Sequence, residues 1–253
     1  MIGKAKRLNR LLNRESGNIV LTPMDHGITM GPIKGLDRME RTLPELVGGG
    51  SDTIVLHKGM VAHYSDYLAD ANLGLMMHLS TSTILSPGSN QKVITGSVHD
   101  AVIMGCDGVS VHINLGVDSE PEMLKDVSLI SSDCVLMGMP LLVMIYVKEH
   151  ESTPERTSHA VRVALELGAD LIKINYTGDK SSFRDIVRTC SVPILVAGRE
   201  KVNNDSEILQ MISDAMDAGA RGVAIGRNVF QNDDIGDILG RIRSIVHLGE
   251  RNV

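Results

Sequence analysis

The feature that most constrains this chain is a phrase that occurs four times. A helical stretch ends at a glycine, a few small or polar residues follow, and an apolar run begins: Gly50-SDTIVLH, Gly105-CDGVSVH, Gly168-ADLIKIN and Gly219-ARGVAIG. A glycine just past a helix end supplies the left-handed cap, and Val/Ile-rich runs behind it read as strands covered on both faces. The phrases recur about every 55 residues, too long an interval for one βα unit and right for two.

Four further runs lie between them: Asn18-IVLTPMDHG, Leu73-GLMMHLS, Met139-PLLVMIYV and Val192-PILVAG. Two open on Pro140 and Pro193, and proline is tolerated at a first strand position. Eight strands result, near residues 19–23, 53–57, 74–78, 108–113, 141–146, 170–175, 193–197 and 221–225. Helical segments fall between them, including 35–47, 97–104, 119–137, 154–167, 181–189, 205–217 and 234–248, some with capping starts such as Ser152-Thr-Pro-Glu and Asn204-Asp-Ser-Glu. Eight βα alternations in 253 residues are the arithmetic of a (β/α)8 TIM barrel, an α/β fold. An open nucleotide-binding sheet would want G-x-G-x-x-G after the first strand, where this chain has Pro23-Met-Asp-His-Gly. No linker or composition break divides the chain, so one domain spanning 1–253 is expected.

Ahead of the first strand, Met1 to Arg14 interleaves Lys4, Lys6, Arg7, Arg10 and Arg14 with Ile2, Leu8, Leu11 and Leu12. This is a basic amphipathic helix, and packing across a barrel end or a subunit contact explains it better than a membrane surface. No window reaches the length of a membrane span. A net charge of -6 without another basic block argues against nucleic acid as a partner, as does an aromatic content of 2% with no tryptophan. Three widely spaced cysteines, Cys106, Cys134 and Cys190, make no disulfide framework or zinc knuckle, so a cytoplasmic location is expected.

Barrel chemistry sits at the carboxyl ends of the strands, and those ends are polar here: Asp25 and His26, His57 and Lys58, His78, His112 and Asn114, Tyr146 and Lys148, Lys173 and Asn175. Lys173 stands alone in Leu171-Ile-Lys-Ile-Asn. Desolvation and nearby cations favour the neutral amine that attacks a carbonyl, whereas a lysine snorkelling to the mouth or pairing with a carboxylate fits the same position. Tyr146 shares strand parity with Leu142 and Met144, so it faces wherever they face, as a proton donor or as a core tyrosine. Asp25 could accept protons or cap the next helix. The histidines His26, His57, His78 and His112 admit a metal reading, but no H-x-H or H-E-x-x-H motif accompanies them, and orienting substrate hydroxyls explains them equally. After strands 7 and 8, Gly198-Arg199-Glu200-Lys201 and Gly226-Arg227-Asn228 suit a phosphate site, with tight turns as the plain alternative.

Longer stretches carry a resemblance: Pro23-MDHG with Gly31-PIKGL, Leu56-HKG, His78-LS, Val111-HIN, Lys173-INYTGD, Ser182-FRD, Val196-AG and Val223-AIGRNVFQ. In these the chain resembles, over nearly its whole length, the class I aldolases of the archaeal fructose-bisphosphate aldolase type, and within them the 2-amino-3,7-dideoxy-D-threo-hept-6-ulosonate synthase branch. The resemblance implies a Schiff-base enzyme needing no metal and no cofactor. By it, Lys173 matches the Schiff-base lysine, Tyr146 the proton donor and Asp25 the proton acceptor. Asp25, His26, Gly27, Ile28 and Thr29 match a loop that contacts the ketose phosphate, and Gly198 with Gly226 and Arg227 match phosphate contacts. The implied substrates are a phosphorylated ketose (6-deoxy-5-ketofructose 1-phosphate in that branch) and the aldehyde L-aspartate semialdehyde, on a route to 3-dehydroquinate and aromatic amino acids. A homo-oligomer, up to a decamer of two pentameric rings, is implied as well. The chain departs from the family in two places. Arg199 stands where a second glycine is common, and Val147-Lys148 stands where Pro-Arg is common, both near the expected phosphate or acceptor. A fructose-bisphosphate or dihydroxyacetone-phosphate aldolase is the alternative, and a non-catalytic phosphosugar-binding barrel stands further off.

Overall fold

The computed structural model describes residues 1–148, 152–202 and 204–250. Its eight parallel strands are β1 (Ile19–Pro23), β2 (Thr53–His57), β3 (Gly74–His78), β4 (Gly108–Leu115), β5 (Leu141–Val147), β6 (Leu171–Ile174), β7 (Ile194–Ala197) and β8 (Gly222–Ala224). Each pairs with its sequence neighbour, and β8 returns onto β1 with Ile19 opposite Gly222, closing the barrel. The helices are α1 (Ile2–Leu11), α2 (His26–Met30), α3 (Met39–Gly48), α4 (Lys58–His63), α5 (Ser65–Asp70) and α6 (Val98–Ile103), then α7 (Glu120–Met137), α8 (Pro154–Glu166), α9 (Lys180–Arg188), α10 (Asp205–Asp217), α11 (Arg227–Phe230) and α12 (Ile235–Arg243). The expected TIM barrel is the observed fold.

Strand alternation sorts the apolar residues into two cores. Ile19, Leu21, Val55, Met76, Leu142, Met144, Leu171, Leu195 and Ala224 fill the barrel, while their neighbours Val20, Ile54, Met77, Val143, Ile172, Val196 and Val223 pack outward against the helices. At the amino-terminal end α1 lies across the barrel as a plug. Leu11 is fully buried in the inner core, with Leu8 and Leu12 packed beside it. The apolar stripe of the first residues thus covers a barrel end.

The repeated phrase has a second function at this end. Asp52, Asp107 and Asp170, two residues past each of its first three glycines, accept the backbone N–H of Val20, Leu75 and Leu141 on the preceding strand. Each also meets a cation: Lys4 reaches Asp170 at 2.8 Å, Arg10 reaches Asp107 at 2.5 Å, and Arg243 reaches Asp52 at 3.5 Å. The carboxylates stitch adjacent strands together and anchor α1 and the carboxyl-terminal segment beneath the barrel.

Departures from the sequence expectation are local. The helix expected from residue 35 begins at Met39, because Gly35 takes a left-handed φ of 84° with its α-carbon against the Phe230 carbonyl, and Thr42 Oγ1 donates to the Gly35 carbonyl. The helix expected over 234–248 ends at Arg243 and widens into a π-turn, Ser244–Leu248, which turns His247 onto Asp52 and Ser16. A two-stranded ribbon, Ser80–Thr81 against Val93–Ile94, stands over the barrel mouth after β3 and was not foreseen.

Candidate active site

The first turn beyond β1 carries Asp25. Its Oδ2 lies 3.6 Å from His78 Nε2 at the end of β3, and its Oδ1 lies 3.5 Å from His26 Nδ1. Both are electrostatic contacts, too long for hydrogen bonds, and Oδ1 is buried with no hydrogen-bond partner. Burial alone would raise the Asp25 pKa, but the field of His78, His26, Lys173 and His57 outweighs it and holds the carboxyl well below the usual range. Asp25 is therefore an ionised carboxylate with one unused oxygen, and it makes no side-chain cap on α2.

Lys173 lies on the inward face of β6, in register with Met144 of β5, and is 8% exposed. Its Nζ contacts Met144 Sδ at 3.8 Å. Among the described residues no carboxylate pairs with it, and its burial shows that it does not snorkel to solvent. Its charge acts on Asp25, His26, His78 and His112, so it lies within the same cluster. Tyr146 sits one inward position beyond Met144, as parity requires, with its ring edge-on to His112 at 4.9 Å. The Tyr146 ring and the Lys173 side chain thus share one wall of the mouth.

The imidazoles are uncharged near neutral pH. Burial lowers His78 to about 4 despite Asp25, and lowers His112 to about 3 with help from Lys92. Burial also lowers His26 and His57. Their tautomers follow from their partners. Asn114 Nδ2 donates to the Asn90 carbonyl, which turns Asn114 Oδ1 toward His112 Nε2 at 3.0 Å and fixes the proton on Nε2. Ser110 Oγ lies 2.7 Å from His78 Nδ1, and the carboxylate beyond Nε2 favours a proton there, so Ser110 donates to Nδ1. Ser110 was missed in the sequence, although it shares inward parity with His112. Among the described residues no three His, Cys, Asp or Glu side chains are grouped to hold a metal ion.

Beyond β6, β7 and β8 lies a cavity of about 710 Å³ lined by Asn175, Gly198, Arg199, Lys201 and Arg227 among others. Arg227 contacts Glu200 at 3.3 Å through one terminal nitrogen, while its Nε is buried without a partner. A buried guanidinium N–H left unpaired is a place for an incoming acceptor. Lys201 is tied to Asp205 at 3.1 Å. Asn228, placed by sequence in the phosphate stretch, is instead fully buried and bonds the Arg199 and Glu200 carbonyls and the Val202 N–H, holding the β7 loop against β8. Gly226 has no room for a side chain, since a β-carbon would meet the Pro23 carbonyl and His26.

The other expected residues divide. Gly27 and Ile28 line an apolar cavity of about 470 Å³ with Met24, Leu36, His57 and His78, and the Thr29 carbonyl accepts from Ile84 N. Val147 turns its side chain outward into the helix-facing core, so it offers a substrate no side-chain contact. Lys148 is exposed and adjoins residues 149–151, which lie outside the described segments.

A profile of the DeoC/LacD family of aldolases matches residues 19–232. The chain is 41% identical to the 2-amino-3,7-dideoxy-D-threo-hept-6-ulosonate synthase 1 of Archaeoglobus fulgidus over 98% of this chain and 92% of that protein. It is 36% identical to the 2-amino-4,5-dihydroxy-6-oxo-7-(phosphonooxy)heptanoate synthase of Streptomyces griseus, over 96% of this chain and 90% of that protein. Among solved structures, a Schiff-base-forming fructose-1,6-bisphosphate aldolase superposes with a TM-score of 0.87 at 30% identity, covering 96% of this chain and 99% of its own.

Proposed function

The chain belongs to the DeoC/LacD aldolase family, and from that premise we propose that it is a Schiff-base transaldolase joining a three-carbon ketone unit from a phosphorylated ketose to L-aspartate semialdehyde, giving a 2-amino-3,7-dideoxyheptulosonate. One observation carries the chemistry: an ionised, unpartnered carboxylate oxygen on Asp25 within the field of an unpaired, buried Lys173. The Lys173 amine adds to the ketose carbonyl, and Tyr146 gives a proton to the carbinolamine oxygen so that it leaves as water. Asp25 takes the proton of the hydroxyl beyond the scissile bond. That bond breaks with its electron pair entering the iminium, leaving an enamine on Lys173 and releasing an aldehyde. The enamine carbon attacks the second aldehyde, Asp25 returns its proton to the new alkoxide, and water frees the ketone product.

The orphaned Arg227 Nε beside the large cavity supports a phosphate on the donor. It also favours a second donor, dihydroxyacetone phosphate, in keeping with the name of the Streptomyces relative. We extend the reading to a single-domain homo-oligomer working in the cytoplasm. Among the described residues no helix is long and apolar enough to cross a membrane.

The test pairs aspartate semialdehyde with 6-deoxy-5-ketofructose 1-phosphate or dihydroxyacetone phosphate and identifies the product. Borohydride added with the donor should leave a covalent adduct on Lys173, located by peptide mass spectrometry. Lys173→Ala should lose adduct and turnover together, whereas Tyr146→Phe should slow turnover and keep the adduct. An adduct on Lys58 or Lys148, or none, would overturn the mechanism.

A further inference from the structure

The loop after β3 carries a lysine that the sequence gives no reason to select. The ribbon is fixed at three points: His112 N donates to Ser80 Oγ at 2.7 Å, Asn114 Nδ2 to the Asn90 carbonyl at 2.8 Å, and Ile84 N to the Thr29 carbonyl at 3.1 Å. This frame holds Lys92 half-buried at the rim, its Nζ donating to Ser82 Oγ at 2.6 Å and to the Ser89 carbonyl at 3.1 Å. An ammonium has three N–H donors, so one is left over. Both acceptors are neutral, and among the described residues no carboxylate pairs with Lys92. Its charge nevertheless acts on Asp25, His78 and His112, which puts it on the reacting cluster.

Its place in the ring matters more than its charge. The strands run in sequence order around the barrel, so the β3–β4 side lies across the mouth from β7 and β8. Dihydroxyacetone phosphate, which keeps its phosphate on the retained unit, directs its reacting carbon toward the opposite side when its phosphate lies near Arg227 and its carbonyl at Lys173. The aldehyde that the enamine attacks must enter there, where Lys92, Asn114 and His112 form the wall. Asn114 keeps one N–H free, and His112, protonated on Nε2, keeps Nδ1 as an acceptor.

We propose that Lys92 binds the carboxylate of the acceptor aldehyde and makes the enzyme selective for aldehydes that carry an acid group. The inference rests on the Schiff-base reading above and adds the residue that recognises the acceptor. With dihydroxyacetone phosphate as donor it assigns the phosphate and the carboxylate to opposite sides of the mouth, so neither anion competes for the other's cation.

Three four-carbon aldehydes test it: aspartate semialdehyde, succinate semialdehyde, which has the carboxylate alone, and butanal, which has neither charged group. With the donor that gives the higher rate, the wild type should favour succinate semialdehyde over butanal by about tenfold or more in kcat/KM, as expected of a charge-assisted contact. Lys92→Met should erase that preference through KM with little change in kcat. Lys92→Arg should restore most of it, which separates lost charge from a loosened ribbon. Borohydride trapping of the donor on Lys173 should be the same in all three proteins. Trapping without any carboxylate preference in the wild type, or an equal loss for both aldehydes in Lys92→Met, overturns the role of Lys92 and leaves the Schiff-base reading standing. Failure of the wild type to trap donor overturns that reading and this inference with it.

Discussion

At the residue scale, Asp25 and Lys173 stand among imidazoles that burial keeps uncharged, and that burial has a cost in acid. His78 and His112 titrate near 4 and 3 in the folded chain against an ordinary 6.5. Between those values the unfolded chain binds more protons than the folded one, so the histidines' contribution to stability falls as pH drops from about 6.5 and is lost fully only below about 3. Asp25, whose folded value lies under the ordinary 3.8, begins to lose its contribution only near that value, below the range from pH 7 to 4.5. The two histidines together should contribute on the order of a few kcal/mol of acid lability. Urea midpoints measured from pH 7 to 4.5 should fall steeply in the wild type and more gently in a His78→Gln, His112→Gln double variant. Parallel slopes would show that the acid sensitivity lies elsewhere. Lys173, Tyr146 and Asp25 were legible in the sequence because each stands at a strand end, where parity and an apolar background single out a polar side chain. Lys92 was not, because it follows Ser86-Pro-Gly-Ser-Asn-Gln, and its direction is set by bonds to β4 and α2 that no local period encodes.

At the element scale, the plug α1 divides its work between Leu11, fully buried in the inner core, and the ion pairs of Lys4 and Arg10, which remain partly exposed. Removing a fully buried leucine side chain costs roughly 2–5 kcal/mol, whereas a partly exposed ion pair contributes about 1 kcal/mol or less. Leu11→Ala should therefore lower the unfolding free energy several times more than Lys4→Ala, as read from urea titration. Neither should change Lys173 trapping, since α1 closes the end of the barrel away from the site. A larger loss for Lys4→Ala would mean that charge rather than packing seats the plug. The strands were readable almost to the residue because their two-sided burial leaves continuous apolar runs. The helices between β2 and β3 were not: α4 and α5 are six residues each and neither has a side-chain cap. The ribbon strands are two residues each, and Val93 and Ile94 are exposed, so no alternation marks them.

At the scale of the whole molecule, the question is which surface a second copy would cover. The apolar side of α1 is already committed to the barrel interior, which removes its leucines from any contact between subunits. The outer faces of α6 and α7, which pack side by side, leave Ile103, Leu129, Val135 and Leu136 exposed, with Leu136 at 80%. Leu129 and Leu136 lie one heptad apart, on one stripe of α7. These exposed apolar side chains, on a helix that buries Met123, Val127, Ile130 and Cys134 on its other side, are the surface on which we expect a subunit contact. Sedimentation at micromolar concentration should show an oligomer, and Leu129→Glu with Leu136→Glu should shift it to a smaller species by placing like charges across each contact. That variant should still trap donor on Lys173, because α7 stands outside the barrel wall and supplies no side chain to the mouth. A wild-type monomer, or an oligomer unmoved by the two charges, would take α7 out of the assembly.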